Sequence, residues 1–418
     1  MILAVLLLGV SVMPTLAADG LSDPWFDRNQ QACTSCAGDD DHLSACYTGI
    51  DVPYCGDMTP TAMCPGAQWY FQANAIAFRR HGTQNEIFQT RNANTFAVRE
   101  VLTTAGDPLP TPEYALVTTP TRDSVLATDD LTFQNAAGYR LLLGWQLADK
   151  YALEFSYFDL NDWDETGAVS DASDYDSATI NTGTGVITTT TVSPSLFSPF
   201  SDFGNPPIND FDYNDQASIR YQSSLDNVEL NVRHMVTKRP SRLAVSVLWG
   251  GRYNAVRERF NYFSSSVAPA PGPGDNEVNL RTSNSLWGLQ IGTQIDFCWD
   301  PGWHTEFEIK GGVAQNQVVM EGAYAIQDGA GGGLVNYAGR VDKDVTSWTG
   351  EMRMTLVYQF GQHLTTHVGY EAVMISRLAL ASQNFETDLS ILANGPWVLD
   401  NGGTVVYHGP SIGATFAW

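Results

Sequence analysis

The sequence predicts an all-β chain: a single antiparallel, up-and-down transmembrane β-barrel behind a short cysteine-rich N-terminal segment. Three observations predict it. Apolar and polar residues alternate at period two over stretches of ten or more residues. No stretch beyond the N-terminus reaches 18 uninterrupted apolar residues, so a bilayer would be crossed by strands and not by helices. Tight turns alternate with long connections, the pattern of a barrel with short turns on its periplasmic side.

Composition narrows the function classes. The 418 residues hold 46 Asp+Glu against 22 Lys+Arg, a net charge of −24, and 11% of them are aromatic. Charged residues make up 16%, below the roughly 25% of a soluble domain. So acidic a chain repels phosphate backbones and is excluded as a nucleic-acid binder. Outer-membrane lipid of a diderm bacterium is the expected partner, no cofactor is implied, and the oligomeric state is open.

Residues 1–17 read as a signal peptide, with an apolar run from Ile2 to Val10 and small residues around Ala17-Ala18, although no Lys or Arg precedes the run. Residues 18–66 form the cysteine-rich segment, with Cys33, Cys36, Cys46, Cys55 and Cys64, and Cys298 stands far downstream. In an oxidising compartment these are disulfide candidates whose pairing the sequence leaves open. Cys33-x-x-Cys36 has zinc-ligand spacing, but no second such pair or His pair follows, so no metal is assigned.

Residues 67–418 supply the barrel. Ten strands are expected, at roughly 67–81, 136–147, 151–158, 215–237, 242–263, 281–299, 303–325, 345–360, 363–378 and 403–418. Tyr139, Leu141, Leu143, Trp145 and Leu147 share a face opposite Arg140, and Leu153, Phe155 and Tyr157 oppose Glu154. Val228, Leu230 and Val232 oppose Glu229, Asn231 and Arg233, while Val245, Val247 and Trp249 lead to Arg252. Trp287, Leu289 and Ile291 oppose Gln290; Phe307 and Ile309 oppose Glu306, Glu308 and Lys310. Met352, Met354 and Leu356 oppose Glu351 and Arg353; Val368, Tyr370 and Ala372 oppose Glu371, with Arg377 following; Ile412, Ala414, Phe416 and Trp418 end the chain. Twelve strands result if 215–237 breaks at Ser223-Ser224 and 242–263 at Tyr253-Asn254-Ala255. Long connections are expected at about 82–135, 159–214, 264–280, 326–344 and 379–402.

The same alternation fits a soluble, secreted β-sandwich or propeller acting as an adhesin. The barrel is favoured because aromatics cluster near the tight turns (Trp145, Tyr151, Trp303, Tyr358, Phe360, Trp418), as a membrane girdle requires. Both signs of charge also share one strand face, and opposed charges across a narrow lumen can pair. The expected lumen-lining residues are Arg140, Glu154, Glu229, Asn231, Arg233, Arg252, Gln290, Glu306, Glu308, Lys310, Glu351, Arg353, Glu371 and Arg377.

Several segments add a resemblance. Glu229-Leu230-Asn231-Val232, Gly250-Gly251-Arg252-Tyr253 with Glu258-Arg259-Phe260, and Asn284 through Gly292 are similar to outer-membrane β-barrel porins of planctomycetes. So are Trp69 through Asn74 and the terminal Trp418; Ala75-Ile76-Ala77 departs from the bulkier aromatic segment of that pattern. The resemblance implies a barrel in an outer membrane and no catalytic residues.

Barrel width argues against an open pore, since about eight strands enclose only side chains and water-filled channels come at 16–18. The charges are therefore expected to brace a closed barrel, or else to line a narrow passive channel. In the acidic stretch after Asp159, Asp162-x-Asp164 begins like a calcium loop but has Ser173 where the twelfth-position Glu belongs. A solvated, disordered loop with at most weak divalent-cation binding is expected there. Enzymatic chemistry is not expected: no Gly-x-Ser-x-Gly or His-Glu-x-x-His occurs. His367 and Glu371, four apart on a strand, would stand roughly 13 Å from one another.

Overall fold

The structure is a computed structural model that describes residues 69–418 apart from 83–84, 103–111, 149, 172–174, 183, 185, 193–194, 238–242, 267–273, 301, 329–332 and 361–362. The predicted signal peptide, the 18–66 segment and its five cysteines lie outside the described residues. In chain order the strands are β1 (Trp69–His81), β2 (Ile87–Leu102), β3 (Pro112–Ala127), β4 (Ala136–Ala148), β5 (Tyr151–Ser170), β6 (Tyr175–Ile180) and β7 (Ile187–Val192). There follow β8 (Leu196–Phe197), β9 (Asn214–Met235), β10 (Leu243–Ser266), β11 (Gly274–Asp300), β12 (Trp303–Gln327) and β13 (Leu334–Gln359). Then come β14 (Leu364–Leu378), a short helix α1 (Leu389–Asn394) and β15 (Gly403–Ala417).

Ten of these strands close into a ring, each antiparallel to its neighbours, in the order β1, β4, β5, β9, β10, β11, β12, β13, β14, β15 and back to β1. The closing seam runs from Tyr70 opposite Ala417 to His81 opposite Val406. Trp69 and Trp418 lock its end, exchanging backbone N–H···O bonds of 3.2 and 3.0 Å. Closure leaves the ring no exposed edge. β9 and β10 each run unbroken, so the twelve-strand alternative falls away.

The ring strands are longer than a membrane requires, and their polarity inverts part-way along. Toward the short turns, β9 turns Val228, Leu230 and Val232 outward and buries Glu229 and Asn231. Beyond Asp226 it does the reverse, burying Ile219, Tyr221 and Leu225 while Gln216, Arg220 and Gln222 face out. On β11, Trp287, Leu289, Ile291, Ile295, Phe297 and Trp299 are exposed, Leu289 by 73%. Past Trp287 that outer face turns to Ser285, Ser283, Arg281, Asn279, Glu277 and Asp275, with Leu286, Leu280 and Val278 inside. A strand that shows apolar residues outward and carboxylates inward has hydrocarbon as its outer solvent. One that reverses this has water. The apolar stretch from Trp287 to Trp299 spans roughly 30 Å for a strand tilted about 40°, the thickness of a hydrocarbon core.

This overhang corrects the expected loops. Connections expected at 264–280 and 326–344 shrink to 267–273 and 328–333, because β11 and β13 keep their ladder bonds out into water. The 82–135 connection contains the β2–β3 hairpin, tied to β9 through β8. In 159–214, the stretch expected to be a disordered acidic loop is ordered as far as Ser170. There β5 continues as a strand paired with β9, with a bulge between Leu160 and Trp163. Asp164 lies on this strand and accepts hydrogen bonds from Arg220 (Nε, 2.7 Å) and Gln222 (3.1 Å), which removes the geometry of a calcium loop. β6 and β7 form a separate two-stranded ribbon.

Candidate functional site

The interior of the ring's lower half, toward the short turns, is where the sequence places its charges. Pleat parity alone brings them there: alternate residues of β4, β5 and β9 to β14 point inward. Arg140, Glu154, Glu229, Asn231, Arg252, Gln290, Glu308, Lys310, Glu351, Arg353 and Glu371 are all buried. Arg233 and Glu306 are nearly so. Cys298 is also buried, beside Ala244.

The charges form one continuous network. Glu351 on β13 receives Arg140 from β4 (3.0 Å), Lys310 from β12 (3.0 Å) and Arg252 from β10. Arg140 also holds Glu371 (2.9 Å), while Lys310 reaches Glu229 (3.1 Å) and Glu308 (3.4 Å). Arg233 joins Glu154 (2.7 Å) to Glu308 (3.1 Å), and Arg353 adds to Glu308 (3.3 Å). Gln290 donates to Glu229 (2.9 Å) and to Asn231 (2.7 Å). Several of these bonds, Arg140 to Glu351 above all, cross the ring between strands that are not neighbours. Five cations thus interleave with five glutamates, and the opposed charges offset a desolvation cost that burial would otherwise make heavy.

Tyr70 shows how the backbone makes room. It faces Gly144 on β4, where a Cβ would lie only 2.0 Å from the ring, and its hydroxyl passes over that glycine to Glu154 Oε1 at 2.5 Å. His367 does not turn to Glu371; its Nε2 meets Asn74 Oδ1 at 2.7 Å and Gln72 Nε2 at 3.1 Å. One cavity within this interior, of about 30 Å³, is bordered by Tyr70, Glu154, Arg233, Gln294, Asp296, Glu306 and Arg353. At roughly 10–15 Å³ per water centre, that admits about two waters.

One expected lumen residue is misplaced. Arg377 has φ +60° at a bulge between Ser376 and Leu378, and it is exposed. The bulge adds a residue, flips the parity that Glu371, Val373 and Ile375 had kept, and turns Leu378 inward instead. The Arg377 carbonyl is used structurally, accepting from Ser347 Oγ (3.0 Å) and Asn316 Nδ2 (3.3 Å).

The upper half holds what the sequence reading missed. Arg80 and Glu258 form a fully buried ion pair, and Tyr221 donates its hydroxyl to Glu258 Oε2 at 2.6 Å. Phe133 and Tyr221 lie 4.9 and 5.0 Å from the guanidinium. Parity could have found both charges, since Glu258 follows Arg252 by six and Arg80 follows Tyr70 by ten. The 379–402 connection folds into this half: Asn284 grips the backbone of Ala379 through bonds of 2.9 and 3.0 Å, and Ala381 N–H donates to Glu258 (3.0 Å). Above it Phe385 packs among Phe88, Phe200, Phe260 and Tyr262, an apolar plug. Asp212, buried beside this plug, has its carboxyl pushed up to about 6 by burial, partly opposed by bonds from Ser201, Ile208 and Ser198.

At the lower rim the expected girdle is in place. Trp69 stacks on Trp145 (5.3 Å), Trp303 meets Tyr358 (4.6 Å), Tyr358 meets Phe360 (4.6 Å) and Phe416 meets Trp418 (5.9 Å). Among the described residues, no group of three His, Cys, Asp or Glu side chains could hold a metal ion.

A family model described as Putative beta barrel porin-7 (BBP7) matches residues 95–401, most of the chain. The chain belongs to this β-barrel porin family. It is an outer-membrane β-barrel protein, not a soluble sandwich, and among the described residues its apolar outer face is exposed with no second sheet packed on it. Among solved structures, the outer membrane protease OmpT from Escherichia coli is similar at 9% identity, over 84% of this chain and 97% of that one, with a TM-score of 0.41. A Pseudomonas aeruginosa FadL homologue is similar at 8% identity, over 87% and 93%, with a TM-score of 0.28. No curated protein matches the chain.

Proposed function

We propose that this member of the β-barrel porin family is a closed, non-conducting barrel. In this reading it sits in the outer membrane of a diderm bacterium, a planctomycete by the resemblance, with its short turns toward the periplasm. It is made as a secreted precursor with a signal peptide, and Cys298 is stapled to the N-terminal cysteines. Its role is structural: it spans the membrane and carries a tall, water-facing collar of strands and loops. The observation that carries the reading is the cross-ring network on Glu351, Lys310 and Arg252 beneath the apolar plug, where the cavity beside Tyr70 and Arg233 holds only about 30 Å³. A hydrated ion carries several waters with it, and two do not suffice. The non-enzymatic reading rests on the family description.

The test is planar-bilayer recording on the refolded protein. A closed barrel gives insertion without conductance steps. Steady, reproducible steps from the wild-type chain would overturn the proposal in favour of a narrow channel.

A further inference from the structure

We propose that the 379–402 connection carries a binding site for a neutral, pyranose-sized sugar. The site is a half-open cavity of about 190 Å³ against the apolar plug, walled by Met320, Phe385, Ile391, Trp397 and Val398 with polar groups from Gln383, Glu386 and Asp400. An engineered apolar cavity of about 150 Å³ holds benzene, so this one takes a six-membered ring with an edge left in water.

Its wall is rigid. Trp397 lies flat on Gly322 of β12 and Gly339 of β13, cross-strand partners where a Cβ would come within 2.4 and 2.3 Å of the indole. The indole therefore offers a fixed apolar face for the C–H face of a sugar. The polar groups are incomplete without a ligand. Both amide atoms of Gln383 are buried and have no hydrogen-bond partner, a state native structures avoid unless a ligand or water completes it. Asn384 beside it is fully spent on Leu380 and Asp400 backbone. Glu386 and Asp400 each commit one oxygen to backbone N–H groups, which leaves the second for hydroxyl donors. The cavity thus offers several acceptors and one amide donor beside an aromatic face, and no cation lines it. That set suits a neutral polyol and repels an anion.

The experiment is saturation-transfer NMR on the full chain in a detergent without a sugar headgroup. The probes are glucose, galactose and mannose, with glucuronate and tetramethylammonium as charged controls. At least one neutral hexose should bind at millimolar concentration and glucuronate should not. Gln383→Leu should weaken binding about tenfold, because it removes the amide while breaking no existing bond, and its heat-dependent gel mobility should match wild type. Gly339→Val, which displaces the indole, should abolish binding. Absence of hexose binding at tens of millimolar, binding unchanged in Gln383→Leu, or preference for tetramethylammonium would each overturn the proposal. Conductance and hexose binding are read by separate measurements, so a conducting barrel does not by itself decide this result.

Discussion

Replacing Glu351 by glutamine tests whether the interior charges act as one network. Glu351 is fully buried and serves three cations, Arg140, Arg252 and Lys310. Glutamine keeps the volume and removes the charge, so the belt is left with one positive charge in excess. Each cation retains another partner: Arg140 has Glu371, Arg252 has Glu229, and Lys310 has Glu229 and Glu308. No cation is orphaned, which places the loss at the lower end of the range for breaking a buried pair, about 3 kcal/mol. Equilibrium urea unfolding in lipid vesicles, followed by tryptophan fluorescence and gel mobility, reads this directly. The double variant Glu351→Gln/Lys310→Met restores charge balance and should recover more than half of the loss, because the two sites share a bond and are not additive. A single variant within about 0.5 kcal/mol of wild type, or a double variant whose losses simply add, would refute the reasoning.

Further outcomes follow from other parts of the ring. Substituting Arg252, Lys310 and Glu351 together by alanine should open measurable conductance in planar bilayers; a silent triple variant would show that the apolar plug seals the barrel unaided. Leu289→Arg, on the lipid face, should cost about 2–4 kcal/mol in vesicles, while Gln317→Arg, outward on the water-facing part of β12, should stay within about 0.5 kcal/mol. Equal losses would contradict the inversion of polarity. Gly144→Val should displace Tyr70 from Glu154 and destabilise by about 1–3 kcal/mol, seen as a lower urea midpoint. Asp212 has a folded value raised to about 6 against 3.8. Its contribution is therefore complete below pH 4 and lost as pH rises through 6. Hydrogen-exchange protection of residues 195–213, corrected for intrinsic rates, should fall between pH 4 and 7, and Asp212→Asn should flatten that dependence.

Much of the site was legible in the sequence because pleat parity is local. Once Leu230 and Val232 are outward, Glu229, Asn231 and Arg233 have nowhere to go but inward. Parity fails where the backbone inserts a residue, as at Arg377. It also cannot say which inward charges meet, because Arg140 and Glu351 are 211 residues apart. The points suspected of breaking strands, near Ser223-Ser224 and Tyr253-Asn254-Ala255, are where the outer solvent changes from water to hydrocarbon. The sequence signal was real, and its cause was an inversion within an unbroken strand.

Period-two alternation, the aromatic rims and the parity of the charges are properties of neighbouring residues, so the chain alone settled the all-β class, an even number of spanning strands, ten or twelve, and an inward charged face. Ring closure, the inward fold of residues 379–402 and the partner of each charge depend on contacts between segments far apart in the chain. Only the folded molecule decides those, because nothing in a strand's own pattern specifies what stands opposite it across the lumen.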